Sequence, residues 1–414
     1  MNEKYLVINA GSSSLKFSLY DMPEGKEIVS GIVEKIGQEG SSYTFKVLGE
    51  KMPTCVKPVM NHTEAVQTML DGLLDNGFIE NISEIKGVGH RVLHGGEKYS
   101  ESVLIDEDVL ADIRELTKFG PLHHPGEIAG IEAMQNVLSG VPQVAVFDTA
   151  FHQTIPEENF RYAIPNGFYT KDAIRKYGFH GTSHKYITEK MQEILGKNSV
   201  NLIVCHIGSG ASICCVKDSK SYDTTMGLTP LDGLVMGTRS GSIDPSIISH
   251  ICKIRNLSVD EVIDILNKES GLFGLCGNSD WRDVCVQVEK GDANAILAVK
   301  LTENSIRNYI GQYYFELNGN VDAIVFTAGI GENSSSLRAN VINSMSNVIG
   351  TKINDSENNI ISRFKEKQIG AISTEDSRTL VYVVPTNEEY MILRDTYNVI
   401  KSKSDSKGVY HKEI

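Results

Sequence analysis

The feature that most constrains this chain is a shape that occurs twice. "VINAGSSSLKFSLYD", residues 7–21, reads as strand, small-residue tip and strand, and "LIVCHIGSGASICCVKD", residues 202–218, reads the same way. Val7, Gly11, Ser12 and Asp21 match Val204, Gly208, Ser209 and Asp218 at a constant offset of 197. Such a repeat within 414 residues points to a duplicated domain rather than one large core. β-Rich segments at 4–8 and 16–20 flank the first tip, Gly11-Ser12-Ser13-Ser14, and predict a β-hairpin. Its small residues let the main chain approach a phosphate, with Lys16 close by. The spacing is not G-x-x-x-x-G-K-[ST], and no helix follows. Two such tips facing one ligand would make a phosphate clamp.

The strand pattern continues through 28–33 and 43–48, and helices are expected over about 62–75 and 106–118. In "AIVFTAGIGENSSSLRANVI", 323–342, an apolar strand runs into a glycine turn and then a helix. That is a common nucleotide-contact geometry, although G-I-G-E-N is not the dinucleotide pattern G-x-G-x-x-G. "TLVYVVP", 379–385, reads as a buried strand, and Tyr390, Leu393, Tyr397 and Ile400 then recur at helical spacing. Thr386 and Glu389 fit a T-x-x-E capping box, which would leave Glu388 to face a site.

Composition excludes several classes. Hydrophobic residues at 41% and charged residues at 22% describe an ordinary globular protein. No apolar run reaches 18 residues, so no membrane span is expected. Met1-Asn2-Glu3-Lys4-Tyr5 enters a strand without a basic, then apolar, leader, and the expected location is the cytoplasm. A net charge of −13 argues against a nucleic-acid partner and requires any anion site to gather its own positive charge. Seven cysteines without a C-x-x-C pair read as reduced thiols, not a disulfide framework or zinc site.

Eight of the eleven histidines lie between 90 and 206. His180 and His184 have i,i+4 spacing, but "HGTSH" lacks the glutamate of H-E-x-x-H, and groups lining a ligand loop explain these histidines better than zinc. Arg91 stands on an apolar strand before a Gly-Gly turn in "GHRVLHGGEKY", and Arg239 stands in the glycine-rich "MGTRSGSIDPS". Either alone fits a structural ion pair; two beside glycine turns favour anion clamping. Asp148 ends a buried strand in "VAVFDTAFHQTIP", where a magnesium ligand, a general base or a turn residue would sit.

Eight segments in order, "NAGSSSLKFSLYD", "GHRVLHGGEK", "VFDTAFHQTIP", "YGFHGTSHKY", "HIGSGAS", "GLTPLDGLVMGTRSGSIDP", "FTAGIGENS" and "PTNEE", resemble the acetate kinase family across about residues 1–400. The resemblance implies an α/β fold of two duplicated actin-like, ribonuclease H-like domains with mixed sheets flanked by helices. The active site would lie in the interdomain cleft. It implies one domain over 1–150 plus 386–414 and a second over 151–385, the latter for nucleotide binding and dimerisation in a homodimer. The implied reaction is reversible phosphoryl transfer between ATP and acetate, giving ADP and acetyl phosphate, with magnesium, or manganese in its place.

Carried over by position, Asn9 and Glu388 would sit at the metal, and Ser12 and Ser14 in the phosphate loop. Arg91 would bind the acyl carboxylate, with Leu93, Leu122, Phe179 and Pro230 around the methyl group. Asp148, His180 and Arg239 would be catalytic. ATP would meet Lys16, then His206, Ile207, Gly208, Ser209 and Gly210, then Asp280, Trp281 and Arg282, and finally Gly329, Ile330, Gly331, Glu332 and Asn333. The chain departs from the family at Ser209, where Asn is usual, at His124, where "PLHNP" is usual, and at Leu93, where many relatives carry valine. The bulkier Leu93 predicts acetate over propionate, with butyrate poor. A propionate or butyrate kinase is the near alternative. A non-enzymatic actin-like assembly protein is the distant one, and Asn9 stands where such proteins usually begin with an acid. A repressor of this superfamily would need a fused helix-turn-helix, and none is expected before Met1.

Overall fold

The structure, a computed structural model, describes residues 3–121, 123–362 and 368–409, the side chains of 404–409 excepted. The chain divides into two units, one built from the segment up to Ala150 together with that from Asn387, the other from Phe151–Thr386. Thr386 therefore joins the second unit, not the first. Its N–H donates to Glu332 Oε1 at 3.1 Å, and its hydroxyl bonds Ser183 Oγ at 2.7 Å.

In the first unit the strands are β1 (Glu3–Ala10), β2 (Ser14–Met22), β3 (Lys26–Glu34), β4 (Ser42–Val47), β5 (Glu50–Lys51), β6 (Cys55–Val56), β7 (Ile85–Val92), β8 (Val103–Leu104) and β9 (Gln143–Phe147). They form one sheet in the order β5-β4-β3-β2-β1-β7-β9-β8, with β6 also on β4. β1, β2, β3 and β4 pair antiparallel, β1–β7 and β7–β9 pair parallel, and β8 runs antiparallel on the edge. β1 is apolar on both faces because both are covered. Leu6, Ile8 and Ala10 join the core shared with the helices His62–Asp75 and His124–Val137, while Tyr5 and Val7 pack with Ile392 and Leu393 of the C-terminal helix. Gly87 and Gly89 permit that close approach, since a Cβ at either would run into Ile400 or Thr396.

The second unit repeats the plan with β10 (Leu202–Ile207), β11 (Ala211–Lys217), β12 (Lys220–Thr224), β13 (Ala323–Thr327), β14 (Gly370–Ala371) and β15 (Leu380–Val383), ordered β12-β11-β10-β13-β15-β14. As β1 pairs antiparallel with β2 and parallel with β7, so β10 pairs antiparallel with β11 and parallel with β13, and a short antiparallel strand closes the edge. The hairpins β1/β2 and β10/β11, offset by 197 in sequence, hold the same place in both sheets. Leu202, Val204, Cys214 and Val216 face Ile187 and Met191 of the helix Gly181–Leu195. The helix Ala293–Glu316 also lies against β10 and β11.

The helix expected over about 106–118 is present, α-helical through Glu107–Glu115 and closing in a 3-10 turn, Leu116–Lys118. Two other local expectations are corrected. The glycine turn after β13 is already helix, Ala328–Asn333, because Ala328 at φ 64° makes the turn itself. The capping box is absent: Asn387 Oδ1 accepts from Tyr390 N at 3.0 Å, while Glu389 Oε2 accepts from Ser18 Oγ at 3.0 Å and cannot fold back.

Candidate active site

In the first unit the serine loop is pinned from several sides. Gly11 N donates to Ser14 O at 2.8 Å, Ile36 N donates to Ser13 O at 2.9 Å, and His62 Nε2 bonds Gly11 O at 2.8 Å. Gly126, in the first turn of His124–Val137, lies so close that a Cβ there would stand 2.6 Å from Gly11 O and 2.8 Å from Ser12 N. Asn9 and Lys16 are cross-strand partners and share a sheet face, opposite to the buried Leu15 and Phe17. Lys16 and Ser12 are exposed, and Ser14 opens β2.

β7 and β9 are parallel, so their carboxyl ends bring Arg91 and Asp148 side by side. Arg91 Nη2 donates to Asp148 Oδ2 at 2.6 Å and Nε reaches both oxygens at 3.2 Å, while the Asp148 side chain is 1% exposed. The pairing holds the guanidinium firmly charged. Two further acids feel this arginine. Burial pushes Glu388 up to about 7, against the pull of Arg91 and with the push of Asp148 and Glu389. Burial likewise pushes Glu127 up to about 8, although both its oxygens accept from Leu93 N at 3.1 and 3.2 Å. Sequence reasoning missed Glu127, since a glutamate in a helix reads as solvent-facing. Leu93 itself is buried, and Leu122 lies outside the described residues.

In the second unit the loop Gly208-Ser209-Gly210 closes by Gly208 N donating to Gly210 O at 3.2 Å, and Ser209 O accepts from Gly237 N at 3.0 Å. His180, at φ 56°, caps Gly181–Leu195 and stacks on His206, ring centroids 4.2 Å apart. Ser212 Oγ bonds His180 Nδ1 at 2.9 Å and His184 Nε2 at 2.8 Å, and Ser183 Oγ bonds His206 Nδ1 at 2.8 Å. These hydroxyls occupy one nitrogen of each ring. A Cβ on Gly210 would meet Arg239 Nη1 at 3.5 Å and His180 Nε2 at 3.6 Å, so both groups converge on the loop. Arg239 Nη1 also donates to Pro230 O at 3.2 Å, and Phe179 is buried with its carbonyl bonded to His152 Nε2 at 3.0 Å.

The expectation that the histidines line a ligand loop is corrected for His90, His124, His152 and His184. All four are buried and bond Gln143, Ile113 O, Ser221 with Phe179 O, and Ser212 respectively. Burial pushes His90 and His152 down to about 4, so both are neutral at pH 7.

Next to the Gly208 loop is a pocket of 540 Å³. Gly208, Ser209, Asp280, Trp281, Arg282, Gly329, Ile330 and Asn333 line it, and so do Ser279, Cys285 and Ser334–Ser336, which sequence reasoning passed over. The serine run after "GEN" was the available signal. Glu332 instead turns inward, fully buried, with Oε1 accepting from Thr386 N. Asp280 caps the helix Trp281–Glu289 and grips the exposed Arg282 through Nε and Nη2, which lowers the Asp280 carboxyl to about 2. Small residues, helix starts and one exposed arginine suit a nucleotide.

Asn9 and Glu388 carry the kind of oxygen donors a divalent cation takes. Glu388 is an acid whose charged form is opposed by burial and by neighbouring carboxylates, the situation a cation relieves. Among the described residues no group of three or more His, Cys, Asp or Glu side chains is arranged to hold a metal.

The acetokinase family's sequence model matches residues 4–394. The acetate kinase of Finegoldia magna is 49% identical over 401 residues, covering 96% of this chain and 100% of its own. That of Exiguobacterium sibiricum is 50% identical over 399 residues, covering 96% and 98%. The crystal structure of Porphyromonas gingivalis acetate kinase superposes with a TM-score of 0.90 at 40% identity, covering 96% and 100%. A propionate kinase from Francisella tularensis gives 0.90 at 41% with the same coverage. Family model, curated relatives and solved structures agree over nearly the whole length: the chain belongs to the acetokinase family.

Proposed function

We propose that this protein is an acetate kinase, transferring a phosphoryl group reversibly and in line between ATP and acetate. The observation that carries the reading is near-full-length identity of about half to enzymes named acetate kinase. The chemistry of the residues supports it. Acetate is already ionised at neutral pH and needs no base. Its difficulty is approach to a polyanion, so catalysis is positioning and charge neutralisation.

Arg91 is the acyl-carboxylate site. Asp148 occupies the Nε and one Nη2 hydrogen, which leaves the Nη1–Nη2 edge to face a second carboxylate with bidentate geometry. Asp148 serves by orienting that fork, not by removing a proton. Leu93, Leu122, Phe179 and Pro230 are the acyl-methyl surroundings. His180 and Arg239 stabilise the transferring phosphoryl group. Lys16, Ser12, Ser14 and the loop His206–Gly210 meet the phosphates, and the pocket of the second unit takes the nucleoside. Magnesium, or manganese, would be held by Asn9 and Glu388 and would supply charge neutralisation on the phosphates. We also assign the chain to the cytoplasm and to a homodimer formed through the second unit. Among the described residues no helix is long and apolar enough to cross a membrane.

The likeness to a propionate kinase structure keeps one alternative substrate in view. The direct test supplies purified protein with acetyl phosphate, ADP and magnesium and follows ATP with a hexokinase-coupled assay. ATP formation dependent on acetyl phosphate is expected, and its absence overturns the reading.

A further inference from the structure

Arg338 has no exposed surface, yet among the described residues no carboxylate accepts from it. Its five N–H groups are matched one for one by neutral oxygens. Nε donates to Asn358 Oδ1 at 2.8 Å, Nη1 to Gly331 O and Glu332 O at 2.9 Å each, and Nη2 to Asn358 O at 2.8 Å and Ile361 O at 3.3 Å. A buried cation without a counter-charge is costly, and burial pushes this guanidinium down to about 10. What compensates is the position of the carbonyls. Gly331 and Glu332 end the helix Ala328–Asn333, and Asn358 and Ile361 end the helix Asp355–Ile360. Helix C-termini carry unpaired carbonyls and partial negative charge, and Arg338 caps two at once.

The same neighbourhood grips the pocket wall twice more. Ser362 Oγ donates to Asn333 Oδ1 at 2.6 Å, and Asn358 Nδ2 donates to Ser335 O at 2.8 Å. Asn333 passes the restraint on, with Nδ2 donating to Gly329 O at 2.8 Å. Gly329, Asn333 and Ser335 line the pocket, whereas Arg338, Asn358 and Ser362 do not.

We propose that Arg338, with Asn358 and Ser362, is a positioning clamp that holds the Gly329–Ser336 wall in its nucleotide-binding geometry. This rests on the reading of that pocket as the ATP/ADP site. Arg338 touches no ligand and acts only through the wall.

Trp281, the chain's one tryptophan, lines the pocket and donates from Nε1 to Ser334 Oγ at 3.1 Å, so its fluorescence reports on the wall. ADP is titrated into wild type, Ser362→Ala and Arg338→Lys, with thermal melts and acetate KM measured beside it. A saturable signal is expected for wild type. Ser362→Ala should weaken ADP about threefold to tenfold and Arg338→Lys about tenfold or more, with acetate KM at saturating nucleotide unchanged. If Arg338→Lys does not fold, Ser362→Ala decides. Saturable wild-type binding with unaltered affinity in the folded variants overturns the clamp alone, as does a parallel rise in acetate KM. No saturable binding by wild type overturns the pocket assignment, and the clamp with it.

Discussion

Arg91 grips Asp148 through Nε and Nη2, the shortest contact 2.6 Å, while the aspartate side chain is 1% exposed. The pair is structural, and on the proposed function it also orients the acyl-carboxylate site. Arg91→Ala leaves a buried carboxylate without its partner and should cost about 3–5 kcal/mol of stability, read by denaturant unfolding. In the folded fraction it should mainly raise the KM for acetate.

Arg239, beside Gly210 and His180, should behave differently. Arg239→Ala removes charge stabilisation at the transferring group and should lower kcat by about 10²–10³-fold, with little change in acetate KM. Equal KM effects from the two arginine variants, with kcat untouched, would remove these role assignments.

Glu127 gives a pH signature. Its carboxyl is raised from 4.5 to about 8, first by burial, with Arg91 and the Leu93 N–H opposing. Native protein therefore holds a proton there that the unfolded chain has lost. Its contribution to stability is greatest below pH 4.5 and falls as pH rises through about 8. Glu127→Gln keeps an acceptor for Leu93 N and removes the titration. Wild type should thus lose Tm relative to Glu127→Gln between pH 5 and pH 8; parallel Tm profiles would contradict this.

Gly126→Ala should disturb the serine loop. Its new methyl group would stand 2.6 Å from Gly11 O, backbone against which no side chain can swing aside. A loss of about 1–3 kcal/mol in stability and a raised KM for the nucleotide are expected from melts and steady-state kinetics.

On the proposed function Leu93 lines the acyl pocket, and Glu127 pins its main chain. Leu93→Ala should raise the propionate-to-acetate ratio of kcat/KM, by about 1–3 kcal/mol per accommodated methylene. An unchanged ratio would take Leu93 out of the pocket.

What could be read from the sequence was what is local or repeated. The two hairpins are legible because small residues interrupt apolar strands, although their registers differ by one residue: Val7 pairs with Ser18, whereas Val204 pairs with Cys214. The helix His62–Asp75 was likewise evident from periodicity. The remainder depended on distant partners. Glu389 fits a capping signature, but Ser18, 371 positions away, takes its carboxylate and Asn387 caps instead. Glu332 stands among residues that line the pocket, yet it turns inward to hold Thr386. The histidine cluster suggested ligand contacts, whereas Gln143, Ser221 and Ser212 satisfy several of them inside the fold. Arg338 carries no motif at all, because its role rests on four carbonyls that only the folded chain assembles.

The most direct measurement of the central claim is a hydroxylamine trap of acyl phosphate. Purified protein is given ATP, magnesium and, in parallel, acetate, propionate or butyrate. Hydroxamate is expected from acetate with the highest kcat/KM, with less from propionate and little from butyrate. No acetohydroxamate, or a higher kcat/KM for propionate than for acetate, would contradict that claim.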